Sequence, residues 1–215
     1  MAPVNPLRSV YPEALEGLER YAPEERRLVE EALAFATARH AGQSRIDGPP
    51  YIRHLVAVAQ LLISTGADAE TVAAGLLHDT VEDTKTTLDD IEERFGQRVR
   101  FLVDAATEVG RGDGNRPIPG KDLRTARTHE KVRAYAREDP RVWLVKGCDR
   151  WHNLLTCDGL RVKSRIFWSR EALDFHAPGL RAAGYARVAD ELSRVARGVL
   201  ERASPGSRGA GAPRR

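Results

Sequence analysis

Through most of the chain the apolar positions return every three or four residues, and nowhere do apolar and polar residues alternate as in a half-buried strand. From Glu24 the positions Leu28, Leu33, Phe35 and Ala36 keep helical spacing to about His40, with Pro23 in a first turn that tolerates it. Ile52 to Thr65 and Ala69 to Val81 are dominated by Ala, Leu and Val, which predicts two largely buried helices at the centre of a bundle. Thr86 or Thr87 followed by Asp89 or Asp90 has the form of a capping box for a short helix ending near Arg94. Gln97 to Glu108 then predicts a helix with Val99, Leu102, Val103 and Ala106 inward. Further helices are expected over Arg124 to Arg137, over Val142 to Thr156 after the break at Pro140, over Lys163 to His176, and over Gly179 to Arg202. Met1 to Pro12 reads as a loose arm and Glu13 to Glu19 as a short helix. Residues 109–121, dense in Gly and Pro, hold no regular element; they form a connector or a substrate-contacting loop, with Arg111 and Arg116 on it. The expectation is an all-α fold, a compact helical bundle without internal repeats.

Composition narrows this to one domain. The chain has 215 residues, of which 41% are hydrophobic, enough for one substantial core with no room for a second large domain. Residues 22–202 carry the helical pattern, 1–21 precede it, and 203–215 form a Gly/Pro/Ser-rich basic tail expected to be disordered. The formal net charge is +3, with Arg202, Arg208, Arg214 and Arg215 at that end, so the domain itself is close to neutral. A polyanion would be attracted by a local patch and not by the overall field, and stable nucleic-acid binding is not expected. Cys148 and Cys157 lack CxxC spacing and a secretory context, so reduced thiols are expected. No signal peptide and no apolar run long enough to span a bilayer are found.

The candidate chemistry sits in Leu76-Leu77-His78-Asp79-Thr80-Val81-Glu82-Asp83-Thr84. If the helix persists through it, His78 stacks on Glu82 and Asp79 on Asp83, four positions apart. Crowded carboxylates raise one another's pKa, and a bound cation or a shared proton relieves this. An exposed acidic helix end would look the same at the dipeptide level, but Gly75-Leu76-Leu77 implies a buried approach, where charges need partners. His54, opening the apolar run Leu55 to Ile63, and Asp149, ending the hydrophobic segment from Val142, offer them. His54, His78, Asp79 and Asp149 make an N/O donor set suited to Mn, Fe, Zn or related ions. Of the other histidines, His40 is assigned to packing or supporting hydrogen bonds, His152 to structure, and His176 to the surface.

In order, Gly42-Gln43-x-Arg45, Pro50-Tyr51-Ile52-x-His54, His78-Asp79-x-x-Glu82-Asp83-Thr84, Phe95-Gly96 and Asp149-Arg150-x-x-Asn153 resemble the HD-superfamily hydrolase domain of RelA/SpoT proteins. The likeness is greater still to the stand-alone small alarmone hydrolases, and it covers roughly Ala22 to Val195. It implies metal-dependent removal of the 3′-pyrophosphate of (p)ppGpp-like nucleotides in the cytoplasm. One divalent ion, expected to be Mn²⁺, would be held by His54, His78, Asp79 and Asp149, with Glu82 and Asp83 activating and orienting water. The resemblance sets Arg45 against the base, Asn153 and Thr156 near the sugar and phosphates, and Lys131 among the substrate contacts. Alarmone synthesis would need a separate synthetase domain, which leaves degradation without synthesis as the expectation.

The family usually has a basic residue after Arg45 and an acidic one before the Pro-Tyr, where this chain has Ile46 and Pro49. An Arg-Lys pair after a histidine appears here as His129-Glu130-Lys131, and Gly147-Cys148 replaces a Leu-Ala pair, which implies looser packing of that helix. These departures keep other substrates open: (p)ppApp, a pyrophosphorylated tRNA 3′ end, or the phosphate of NADPH, with the protein acting as antitoxin to a partner alarmone-synthetase-like toxin. Another HD-fold phosphodiesterase or dNTP hydrolase fits the Glu82-Asp83 pair and the Arg45 loop less well. A non-catalytic module that binds a partner would not need every candidate ligand to be retained.

Overall fold

Proline at the head of a helix forfeits no hydrogen bond, and α1 (Pro23–Arg39) opens on Pro23, with the Ala22 amide donating to Glu25 Oε2 at 2.9 Å. The computed structural model describes residues 9, 11–12, 14–45, 48–110 and 118–203. Helix α2 (Ile52–Thr65) buries nine of its fourteen residues and α3 (Ala69–Leu77) eight of nine, so both lie inside the bundle as their composition predicts. Asp68 caps α3, its Oδ1 accepting from the Thr71 amide at 2.8 Å. Among the described residues before α1 there is a 3₁₀ turn, Leu18–Arg20, and no α-helix over the part of Glu13 to Glu19 where one is expected, Glu13 itself lying outside them.

The helix expected to run on to Val81 stops at Leu77 and resumes as the single turn α4 (Thr80–Asp83). Two side chains engage its last carbonyls: His78 Nδ1 lies 2.8 Å from Gly75 O, and Thr80 Oγ1 donates to Leu77 O. Asp79, at φ −97° and ψ −5°, turns the corner. Helix α5 (Leu88–Ala106) begins with the expected capping box: the Asp90 amide donates to Thr87 Oγ1 and the Thr87 amide to Asp90 Oδ2. Gly96, at φ +83°, kinks it where the sequence divides into two helical runs; that left-handed conformation is open to glycine at little cost.

Helices α6 (Lys121–Glu138) and α7 (Arg141–Leu155) follow, then α8 (Val162–Glu171). The break expected after His176 is absent, because a π turn at Ala172–His176 carries the chain without interruption into α9 (Ala177–Ala182). The break falls instead at Gly184, before α10 (Ala186–Ala203). Helix α3 packs on α1, α2 and α5, and α7 on α2, α3, α5, α6 and α10. The looser packing expected around Gly147 is not found: a Cβ there would stand 2.8 Å from Leu180 Cδ1, so the leucine of α9 fills the space.

Among the described residues there is no strand, only an isolated bridge between Ser44 and Pro50. It closes the loop that carries Arg45, with the Arg45 amide donating to Pro49 O and the Tyr51 amide to Gln43 O. No described helix is long and apolar enough to cross a membrane. Ile46, Arg111, Arg116 and the 204–215 part of the tail lie outside the described residues.

Candidate metal centre and its surroundings

Helix α2 presents His54, the corner after α3 presents His78 and Asp79, and α7 presents Asp149. Ligand atoms of His54, His78 and Asp149 all lie within 4.8 Å of one another, and all three residues are buried. Asp79 borders them, its Oδ2 standing 3.6 Å from His54 Nε2 and 3.1 Å from His78 Nε2. His54 Nε2 lies 3.3 Å from Asp149 Oδ1, and His78 Nε2 lies 3.6 Å from the same oxygen. The structure thus brings together all four of the ligands named from the sequence.

Both rings are held from behind. His54 Nδ1 is paired with His152 Nδ1 at 2.7 Å, and His78 Nδ1 with Gly75 O, so both Nε2 atoms turn toward the carboxylates. His78 Nε2 is buried and, although close to two carboxylates, aligned on neither as a hydrogen bond. Tyr51 donates its hydroxyl to Asp79 Oδ2 at 2.7 Å, and its ring stacks on His40. His40 in turn meets Gln43 Oε1 at 2.8 Å, the supporting role assigned to it. Tyr51 and His152 are not among the site residues named from the sequence. Each stands three positions from a proposed ligand on the same helical face, His54 and Asp149 respectively, which is the available signal.

Burial lowers the pKa of His54, outweighing the pull of Asp149 and Asp79. Burial acts the same way on His78, but there the two carboxylates win and hold its pKa well above the ordinary value. Burial opposes ionisation of Asp79 and Asp149, yet the imidazoles keep both well below the usual carboxylate range. Two carboxylates therefore face one protonated ring. Lys146, the near cation, is 3.9 Å from Asp149 Oδ2 and donates to Ala106 O at 2.9 Å. Two inward nitrogens, one of them the unaligned and buried His78 Nε2, and two carboxylates fit a divalent metal ion, which would displace the His78 proton.

Glu82 and Asp83 stand beside this cluster on α4. Glu82 is an exposed residue whose carboxyl is nevertheless crowded by protein, and this partial desolvation, with the Glu108 carboxylate next in effect, pushes it up to about 7, while its Oε2 accepts from the Glu108 amide at 3.1 Å. Asp83 is exposed as well, and partial desolvation of its carboxyl together with the charge of Asp79 raises it. Arg45 Nη2 donates to Asn153 Oδ1 at 2.9 Å and lies 3.5 Å from Thr156 Oγ1, while Asn153 Nδ2 donates to Asp149 Oδ1 at 2.6 Å. The three proposed nucleotide contacts are thereby joined to a proposed metal ligand. Lys131 is not joined to them: its Nζ pairs with Asp104 Oδ1 at 2.6 Å.

His176, expected at the surface, is 1% exposed. It belongs to a second buried group in which His129 Nε2 lies 2.8 Å from Glu171 Oε1 and Arg150 Nη2 lies 2.7 Å from Glu171 Oε2. Burial, and then Arg150, push His176 down to about 3, so it is neutral.

A family model described as HD domain matches residues 32–181. The chain is 38% identical over 180 residues to a guanosine-3′,5′-bis(diphosphate) 3′-pyrophosphohydrolase of Aquifex aeolicus, covering 84% of this chain and 25% of that protein. It is 39% identical to a probable GTP pyrophosphokinase of Mycobacterium leprae over 80% of this chain and 21% of that one. It thus spans about a quarter or less of the length of these curated relatives. Among solved structures, a metazoan ortholog of SpoT that hydrolyses ppGpp superposes with a TM-score of 0.65 at 26% identity, covering 83% of this chain and 97% of that one. A protein from Listeria monocytogenes EGD-e matches 69% of this chain and 99% of its own, with a TM-score of 0.55 at 27% identity. The resemblance carried by the five ordered motifs and the all-α fold expected from the pattern are both borne out.

Proposed function

This chain belongs to the HD-domain family, and from that premise we propose that it is a cytoplasmic, metal-dependent hydrolase that removes the 3′-pyrophosphate of (p)ppGpp-like nucleotides. The observation that carries the reading is the convergence of His54, His78, Asp79 and Asp149 beside the carboxylates of Glu82 and Asp83 on the following turn. The activities of the Aquifex relative and of the metazoan SpoT ortholog support it.

The four ligands would hold one divalent ion, Mn²⁺ by preference, which when bound polarises a phosphate oxygen and lowers the pKa of water. Glu82, at about 7, takes the proton of the attacking water near neutral pH. Asp83 accepts from the same water and holds it in line. Arg45, braced by Asn153 and Thr156, orients the nucleotide. Water attacks the phosphorus joined to the ribose 3′ oxygen and that P–O bond breaks. Pyrophosphate departs, and the 3′ hydroxyl of GDP or GTP recovers the proton through Glu82. Purified protein with Mn²⁺ should release pyrophosphate from ppGpp; no release from ppGpp or ppApp overturns the reading.

A second reading keeps this chemistry and changes the nucleotide. Lys131 is neutralised by Asp104, and Glu130, where a cation is usual, lies 3.2 Å from Arg127. In this reading the substrate is (p)ppApp made by a toxin, with this protein as antitoxin. Turnover numbers for ppGpp and ppApp, measured side by side, decide between the two.

A further inference from the structure

The cleft between α6 and α8 is opposite in charge to the acidic cluster. It encloses about 520 Å³, within the range of pockets that bind small molecules. Arg133 of α6 and Lys163 and Arg170 of α8 line it, all exposed, and among the described residues none has a carboxylate at ion-pair distance. Ile166 and Phe167 form an apolar wall. On the floor, the Phe175 ring stacks on His129 with centroids 3.6 Å apart and carries the Arg133 guanidinium 4.9 Å from its centroid. Lys121 sits over Phe167 in the same way, at 4.1 Å. The Phe175 ring holds the Arg133 guanidinium at the cleft. Of the lining acids, Glu171 is engaged by His129 and Arg150, which leaves Asp174 against three cations.

We propose that this cleft is a second binding site, for a nucleoside phosphate whose phosphates meet Arg133, Lys163 and Arg170 and whose base lies against Ile166 and Phe167. None of its lining residues is among the proposed metal ligands, the Glu82-Asp83 pair or the proposed nucleotide contacts. Arg150, which secures the floor through Glu171, follows Asp149 on α7, and successive helical side chains leave the axis about 100° apart. An acidic peptide would be matched by a longer and flatter basic surface; a concave site with an apolar wall suits a mononucleotide.

Calorimetric titration of the full chain with ADP, without added metal, tests this. The proteins compared are the wild type, Arg45→Ala, and a triple variant carrying Arg133→Glu, Lys163→Glu and Arg170→Glu. All three reversed positions are exposed, so the triple variant should fold, and a milder Lys163→Gln/Arg170→Gln pair should show the same effect at smaller size. ADP should bind the wild type and Arg45→Ala alike, and the triple variant about tenfold or more weakly, since a single charge-assisted hydrogen bond is worth about that much. Inorganic pyrophosphate should bind the same site more weakly than ADP. Equal affinity in wild type and triple variant overturns the proposal, as does loss of ADP binding in Arg45→Ala or capture of a polyglutamate peptide in place of ADP. Pyrophosphate binding as tight as ADP overturns the base contact. Failure of pyrophosphate release from ppGpp leaves all these outcomes readable.

Discussion

Residues Asp149 and Arg150 are neighbours on α7, and each belongs to a buried group of two histidines and at least one carboxylate. Around Arg150 the charges close: one guanidinium meets one carboxylate, His129 donates to that carboxylate, and burial keeps His176 neutral. Around Asp149 they do not. Two carboxylates face two imidazoles, the buried His78 Nε2 is aligned on no partner, and the nearby lysine is committed to Ala106 O. A buried charge must be paired or must coordinate something. The Arg150 group balances its own charge, although Arg150 Nε, Glu171 Oε2 and both His176 ring nitrogens find no hydrogen-bond partner; the Asp149 group carries an excess of negative charge that a cation from outside would complete.

The largest effect expected from this contrast is on the Asp149 side. Asp79→Ala and Asp149→Ala should each abolish bound metal, read by elemental analysis, and pyrophosphate release, read by turnover. Their folds should remain intact by circular dichroism. Metal retained in either variant would show that the cation is held elsewhere.

Next in size is the other side of α7. Arg150→Met leaves Glu171 buried without its guanidinium and should cost about 3–5 kcal/mol of stability, measured by urea unfolding, while metal content per folded molecule is kept. Replacing both partners, as Arg150→Met with Glu171→Leu, should recover most of that loss. If the single variant instead loses metal at unchanged stability, the two groups are one functional unit and the contrast fails.

A smaller effect belongs to the residues that hold the ligands from behind. Tyr51→Phe frees Asp79 Oδ2 from its donor, and His152→Ala leaves His54 Nδ1 without its partner. Each should weaken Mn²⁺ binding by about 10–100-fold, measured by competition with a chelator, with little change in melting temperature once metal is removed. An unchanged affinity would reduce both to packing residues.

The four proposed ligands were legible because each sits beside an apolar run or ends one, and because the five motifs fall in order. The fold was legible for the same reason: apolar residues at helical spacing announce α2, α3, α5 and α7. Two of the features that escaped the sequence depend on contacts between distant positions. His176 has no local mark of burial; it is enclosed because α6 and α8 bring His129 and Glu171 together across 42 positions. Gly147 suggested a loose helix, since nothing in its neighbourhood names Leu180 as the side chain that fills the space. The stop at Leu77 was hidden because Ala, Gly and Leu continue the helical pattern while His78 and Thr80 engage its last carbonyls.

The smallest effect is set by Glu82, which lies between the two regimes: near the metal cluster, yet lacking a cation of its own. Its pKa in the folded protein, about 7, exceeds the ordinary 4.5 because partial desolvation and Glu108 disfavour the charge. Between those values the folded state holds more protons than the unfolded one, so the metal-free protein should lose stability as pH rises from 4.5 through 7, and be level beyond. Glu82→Gln removes this slope. At pH 8 the variant should be more stable than the wild type by on the order of 1 kcal/mol, after allowance for the solvent that still screens the group. At pH 4 the two should coincide. Urea unfolding in chelator at both pH values measures it, and parallel curves for the two proteins would mean that Glu82 is ionised well below neutrality and that its proton-accepting role near pH 7 needs another residue.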